Sequence, residues 1–136
     1  MTEHIIKHEN VVDFILGGNS LFTVRNPKSG NRFTFKVTKH KQDDIFFVKV
    51  LTNPEVYEFI GSIRPNTKFK YSRKSRISEE AQSVKVFNFV YDKLQSNSLP
   101  TFIEIWHEGR CGRCGRHLTV PESIESGFGP ECIKRK

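Results

Sequence analysis

All three cysteines of this 136-residue chain fall in its last quarter. Cys111 and Cys114 are separated by two residues, and Cys132 follows after seventeen more. Two thiolates on a tight turn, joined by a third from a later turn, suit the distances and tetrahedral geometry of a structural Zn2+ site. The simpler reading, three reduced buried thiols, leaves the spacing unexplained. The fourth ligand lies between His107, four residues before the cysteine turn, and His117, three residues after Cys114. His107 is favoured, because it would arrive from the end of an apolar stretch, whereas His117 would have to fold back at once. Gly112 and Gly115 can adopt the positive φ that turns backbone amides toward thiolate sulfur. Gly127-Phe128-Gly129-Pro130 then breaks the chain and sets Cys132 near the start of a short turn, where a helix dipole favours thiolate. Three thiolates make a metal electron-rich and a poor Lewis acid, so the expected role is structural, not catalytic.

Cations form the second pattern. Between positions 64 and 76 stand Arg64, Lys68, Lys70, Arg73, Lys74 and Arg76, with no acid among them and with Phe69 and Tyr71 interleaved. On a strand, Lys68-Phe69-Lys70-Tyr71 puts both cations on one side and both rings on the other. With the rings in a core, the cations form a strip able to follow phosphates. With the cations guarding a sheet edge, they only discourage aggregation. Arg110, Arg113 and Arg116 recur every three residues around the cysteine turn. A metal-held loop would fix these arginines for bidentate contact with phosphate or carboxylate, and they would also balance the thiolate charge.

The C-terminal residues HEGRCGRCGRHLTVPESIESGFGPEC resemble domain-of-unknown-function family 6011, small cysteine-containing proteins common in bacteriophages and in bacterial genomes carrying mobile elements. A weaker resemblance to phage proteins of the same layout extends upstream. The resemblance implies zinc binding by Cys111, Cys114 and Cys132, with His107 at a position that carries histidine in the family and His117 at a variable one. It implies no catalytic activity.

A formal charge of +7 attracts polyanions or an acidic protein surface. Twelve phenylalanines can supply a core in a chain this short. No apolar run reaches the eighteen or so residues of a membrane span, and the N-terminus lacks a signal-peptide core, so no membrane partner and a cytoplasmic location are expected. Cysteines confined to a metal pattern fit a reducing compartment. There is no nucleophile motif, phosphate-cradling glycine loop or paired-carboxylate arrangement, so no enzyme is expected. His4, His8 and His40 are expected at the surface. Two partners remain in view: nucleic acid, DNA or RNA, for a phage or mobile-element accessory protein, or an acidic host or defence protein for a phage-encoded inhibitor. The oligomeric state is not legible.

The elements that must position these groups follow from periodicity. Asn10 is expected to cap a short helix from Val11 to Leu16 that stops at Gly17-Gly18. Six strands are predicted at 20–25, 31–39, 45–51, 56–60, 67–71 and 102–106. The first two flank a hairpin loop at 26–30, and the strand at 45–51 is read as buried on both faces. Ser78 is expected to cap the main helix through Leu94, with Glu79 and Glu80 in its first turn. Ala81, Val84, Phe87, Val90, Tyr91 and Leu94 form its apolar stripe. The predicted class is α+β: an antiparallel sheet of about five or six strands with one main covering helix over residues 1–105, and a treble-clef-like zinc knuckle over 106–136 packed on it.

Overall fold

The computed structural model describes residues 4–5, 8–53, 56–64 and 67–107. In chain order the elements are β1 (His4–Ile5), α1 (His8–Ile15), β2 (Asn19–Asn26), β3 (Asn31–Lys39) and β4 (Phe46–Asn53). They continue with β5 (Val56–Ile63), β6 (Lys70–Tyr71), α2 (Gln82–Gln95) and β7 (Glu104–His107). All strand pairs are antiparallel, in the order β1-β7-β2-β3-β4-β5-β6. The α+β class and all six predicted strands are therefore present, and the two-residue β1 is an addition. Strands β2 to β6 form a meander, and β7 returns beside β2.

The β2–β3 hairpin closes at Asn26↔Asn31. The Asn26 side chain accepts from the Lys28 amide at 3.0 Å, and Gly30 takes the positive φ of +78° that the turn requires. In β3, Phe35 and Val37 are buried while Arg32 on the other face is exposed, as strict alternation dictates. The same rule corrects the reading of β4. Phe46, Val48 and Val50 are buried, but Phe47, Lys49 and Leu51 are only half-buried, so one face of this strand, not both, lies in the core.

Both helices lie on that core face. Phe87 of α2 meets Phe35 at 5.0 Å and Phe69 at 4.8 Å between ring centroids, and Phe14 of α1 meets Phe22 at 6.4 Å. The predicted stripe of α2 is buried at Val84, Phe87, Val90, Tyr91 and Leu94. Burial in this apolar layer pushes the Tyr91 phenol up to about 12.

The helix starts differ from expectation. The first helix begins at His8, so Asn10 lies inside it. The second begins at Gln82, after Ser78 has spent its hydroxyl on the Glu80 amide and its carbonyl on the Ala81 amide. That local turn leaves Glu79 and Glu80 ahead of the helix. Its end is a Schellman arrangement: Asn97, at φ 55°, donates to the Leu94 carbonyl, and Ser98 donates to Lys93. His8 is not a free surface group, because its Nε2 lies 2.6 Å from the Ile103 carbonyl and ties α1 to the approach of β7.

Candidate nucleic-acid interface

The basic stretch occupies one edge of the sheet, and its conformation is over-determined. At its start the Arg64 carbonyl accepts from the Thr67 amide at 3.1 Å and from the Thr67 hydroxyl at 2.7 Å. The Gln95 side chain, from the end of α2, donates to the Thr67 carbonyl at 2.9 Å. Phe69 then drops into the core, 8% exposed, edge-on to Phe87. As a strand, β6 is only Lys70 and Tyr71, paired at Ser62↔Lys70 and Gly61↔Tyr71, and just past it the Ser72 amide donates to the Ile60 carbonyl at 3.0 Å. The predicted strand over 67–71 is thus shorter, although its in-and-out pattern holds.

Gly61 explains how β6 comes so close. A Cβ at that position would collide with the Lys70 carbonyl and stand 2.7 Å from the Phe69 ring, so only glycine lets both groups sit where they do. Beyond β6, the Tyr71 hydroxyl donates to the Ile77 carbonyl and closes a loop. Serine turns hold it: the Ser72 hydroxyl accepts from the Lys74 amide at 3.2 Å, and the Ser75 hydroxyl accepts from Ile77 at 2.9 Å.

This framework turns the cations outward. Arg64, Lys68, Lys70, Arg73, Lys74 and Arg76 are all exposed. Lys68 lies 3.5 Å from the Asp92 carboxylate, and among the described residues the other five have no ion-pair partner. An edge that carries five cations unpaired among the described residues, on a braced backbone, can accept a chain of phosphates with little ordering cost.

His107 is the one predicted metal ligand among the described residues. It ends β7, opposite Phe22 and His4, and is fully buried on the helix-bearing face with its ring 5.8 Å from that of Phe14. Its imidazole has a donor chemistry that zinc accepts. Among the described residues no group of three or more His, Cys, Asp or Glu side chains could hold a metal. Cys111, Cys114, Cys132, His117, Arg110, Arg113 and Arg116 lie outside the described residues. Trp106 and His107, given to the C-terminal module by sequence, complete the last strand of the sheet. No helix among the described residues is long and apolar enough to cross a membrane.

A second basic cluster escaped the sequence pattern. Strand register sets Arg25 opposite Arg32 and Lys36 opposite Lys49 on the face away from α1 and α2, where Arg25 also pairs with Glu104 at 3.1 Å. Period-two alternation in each strand signals the face, but the pairing itself joins residues up to thirteen positions apart and is visible only in the register.

Searches of curated proteins and of solved structures return no match. Residues 106–135, from the end of β7 through the cysteine-bearing segment, match the model of a family of unknown function (DUF6011), the family that the C-terminal motif resembles.

Proposed function

We propose that this is a small phage or mobile-element accessory protein of the cytoplasm that binds nucleic acid without turning it over. The observation that carries this reading is the split at the basic edge, where Phe69 is buried and braces the backbone while Lys70, Arg73, Lys74 and Arg76 stand exposed without carboxylate partners among the described residues. Phosphate contacts of this kind give affinity without sequence preference. A structural zinc held by Cys111, Cys114, Cys132 and His107, with His117 as the alternative fourth ligand, would fix Arg110, Arg113 and Arg116 as a second set of phosphate contacts. Its contribution would be to folding, because a preformed site rarely exists in an unfolded chain.

The test is fluorescence anisotropy of the zinc-loaded protein with labelled single-stranded DNA, duplex DNA and RNA across a salt series. Affinity should fall log-linearly with salt. The combined Lys70→Gln, Arg73→Gln, Lys74→Gln variant should melt as the parent does and bind with a salt slope shallower by about three. Absence of binding at low salt would overturn the reading and leave the basic edge to an acidic host or defence protein, as an inhibitor would use it.

A further inference from the structure

Helix α2 presents two flanks, and they meet different parts of the molecule. On one, the Asp92 carboxylate lies 3.5 Å from Lys68 and the Gln95 side chain donates to the Thr67 carbonyl, so this flank supports the basic edge. On the other, Gln82, Val86 and Phe89 recur at helical spacing and line a cleft of about 250 Å³ against the β2–β3 hairpin. Val24, Val90 and Ile103 are buried at its floor, and the half-buried Phe33 completes an apolar wall.

The cleft lies where apolar surface is left open. Among the described residues, the large apolar side chains that are exposed are Val56, Phe89 at 45% and Phe102 at 37%. Phe89 lines the cleft, and Phe102 directly precedes Ile103 of its floor. Exposed rings gathered at one cleft, and not scattered singly, mark a contact surface. Both rings also carry a cation. The Lys28 ammonium, from the hairpin, is 4.1 Å from the Phe102 centroid, and that of Lys93, one turn beyond Phe89 in α2, is 5.9 Å from the Phe89 centroid. Neither lysine has a carboxylate partner among the described residues, whereas Lys85 at the cleft is held by Glu80 at 3.3 Å.

We infer that this cleft docks an acidic segment of another protein, whose apolar side chains enter beside Phe89 and whose carboxylates meet Lys28 and Lys93. Charge selects the occupant. A second copy of this chain would bring a formal charge of +7 to a lysine-rimmed cleft, and residues 108–136 carry six Lys or Arg against four Glu, so neither is complementary to it. Nucleic acid offers phosphates to the lysines but no aliphatic side chain to the floor. The cleft is also smaller than the roughly 300–1,000 Å³ that encloses a small-molecule cofactor. The inference goes beyond the nucleic-acid reading and does not depend on it. Because the basic edge lies on the opposite flank of α2, occupying one surface leaves the other open.

The probe is a yeast-displayed library of random short peptides, selected against the full chain at low salt. Enriched peptides are then labelled and titrated by anisotropy into the parent, a Phe89→Gln variant, a Lys28→Glu/Lys93→Glu variant and the Lys70/Arg73/Lys74 variant, with melting curves for each. The charge reversal leaves the apolar lining in place, so it remains informative if Phe89→Gln folds poorly. Enriched peptides are expected to combine Asp or Glu with apolar residues, to bind each cleft variant about tenfold or more weakly, and to bind the Lys70/Arg73/Lys74 variant nearly as the parent does. No enrichment, or enrichment without an acidic bias, would overturn the inference. So would acidic peptides lost in the Lys70/Arg73/Lys74 variant and untouched in the cleft variants, a result that leaves the proposed function standing. Self-association of the parent in sedimentation, abolished by Phe89→Gln, would overturn it by giving the cleft to a second copy.

Discussion

The two faces of this sheet are built by one alternation and used in opposite ways. On the covered face, Phe22, Phe35, Val37, Val48 and Ile105 are each no more than 1% exposed beneath two helices. Phe87 there touches the rings of Phe22, Phe35, Phe69 and Tyr91. On the other face the same strands carry threonines, the cations Arg25, Lys36 and Lys49, the half-buried ring of Phe47, and also Leu21, Leu51 and Glu104, with Thr23 fully buried among them. An aromatic on the first face contributes through exclusion of water and close packing, whereas a half-buried one on the second contributes less to folding. The comparison shows that aromatic content alone does not mark a core. The register and the placement of the helices decide which rings are structural.

The sharpest way to break this contrast is a pair of truncations. Phe87→Ala should cost about 3–5 kcal/mol in urea unfolding, since it opens a cavity at the centre of the ring cluster. Phe47→Ala, at a half-buried position on the other face, should cost no more than about 1–2 kcal/mol. Equal losses would mean that the second face is also a packed core.

Burial of Tyr91 sharpens the comparison through pH. Its phenol, 1% exposed, titrates at about 12 and not at the ordinary value of 10 because the charged form is poorly solvated there. Folding therefore holds a proton that the unfolded chain releases earlier. The stability is fully present below pH 10 and is lost as pH rises from 10 to 12, by up to about 3 kcal/mol. Tyr91→Phe should flatten this alkaline limb of the stability profile, and an unchanged limb would show that Tyr91 is not its source.

Much of the covered face was legible in the sequence. Val84, Phe87, Val90, Tyr91 and Leu94 recur at helical spacing, and Phe33, Phe35 and Val37 alternate, so periodicity alone assigns them to a core. The hairpin at Asn26 to Gly30 was equally legible, since its turn needs the residue types it has. Helix starts were not, because Ser78 can satisfy a backbone amide in a local turn as well as in a cap. The β-bulge at Ile60, where the β4–β5 register passes from Val48↔Gly61 to Lys49↔Phe59, was not legible either. Val56-Tyr57-Glu58-Phe59-Ile60 contains nothing that says which of two consecutive apolar residues faces inward, and that choice is made by packing against β4. The basic edge stood out as a charge run, but the close approach of Gly61 that seats it joins residues about ten positions apart.

Gly61 gives the next prediction. Gly61→Ala forces a Cβ against the Lys70 carbonyl and the Phe69 ring and should cost about 1–3 kcal/mol, as overpacking does. The displaced strand is the one that carries the cations, so polyanion binding through the basic edge should weaken as well. A variant that loses stability but keeps its full salt slope would show that the edge cations act without β6 being docked.

The smallest effect is the most discriminating, because its sign is unusual. Lys36 and Lys49 face each other with no acid partner among the described residues, and their repulsion opposes folding. Lys36→Gln should therefore raise stability at low ionic strength by a few tenths of a kcal/mol, about the size of a cross-strand pair term. Part of the gain is offset by the loss of the ammonium over the Tyr57 ring. Salt screens exposed charges over about 3 Å at 1 M, so the gain should vanish in 1 M sodium chloride. A gain that persists in high salt would point to the shape of glutamine and not to charge. A loss at low salt would make the Lys36–Tyr57 contact the stronger term and the lysine a structural residue. A salt-sensitive gain would mean that the sheet keeps a repulsive pair at its centre at the expense of stability.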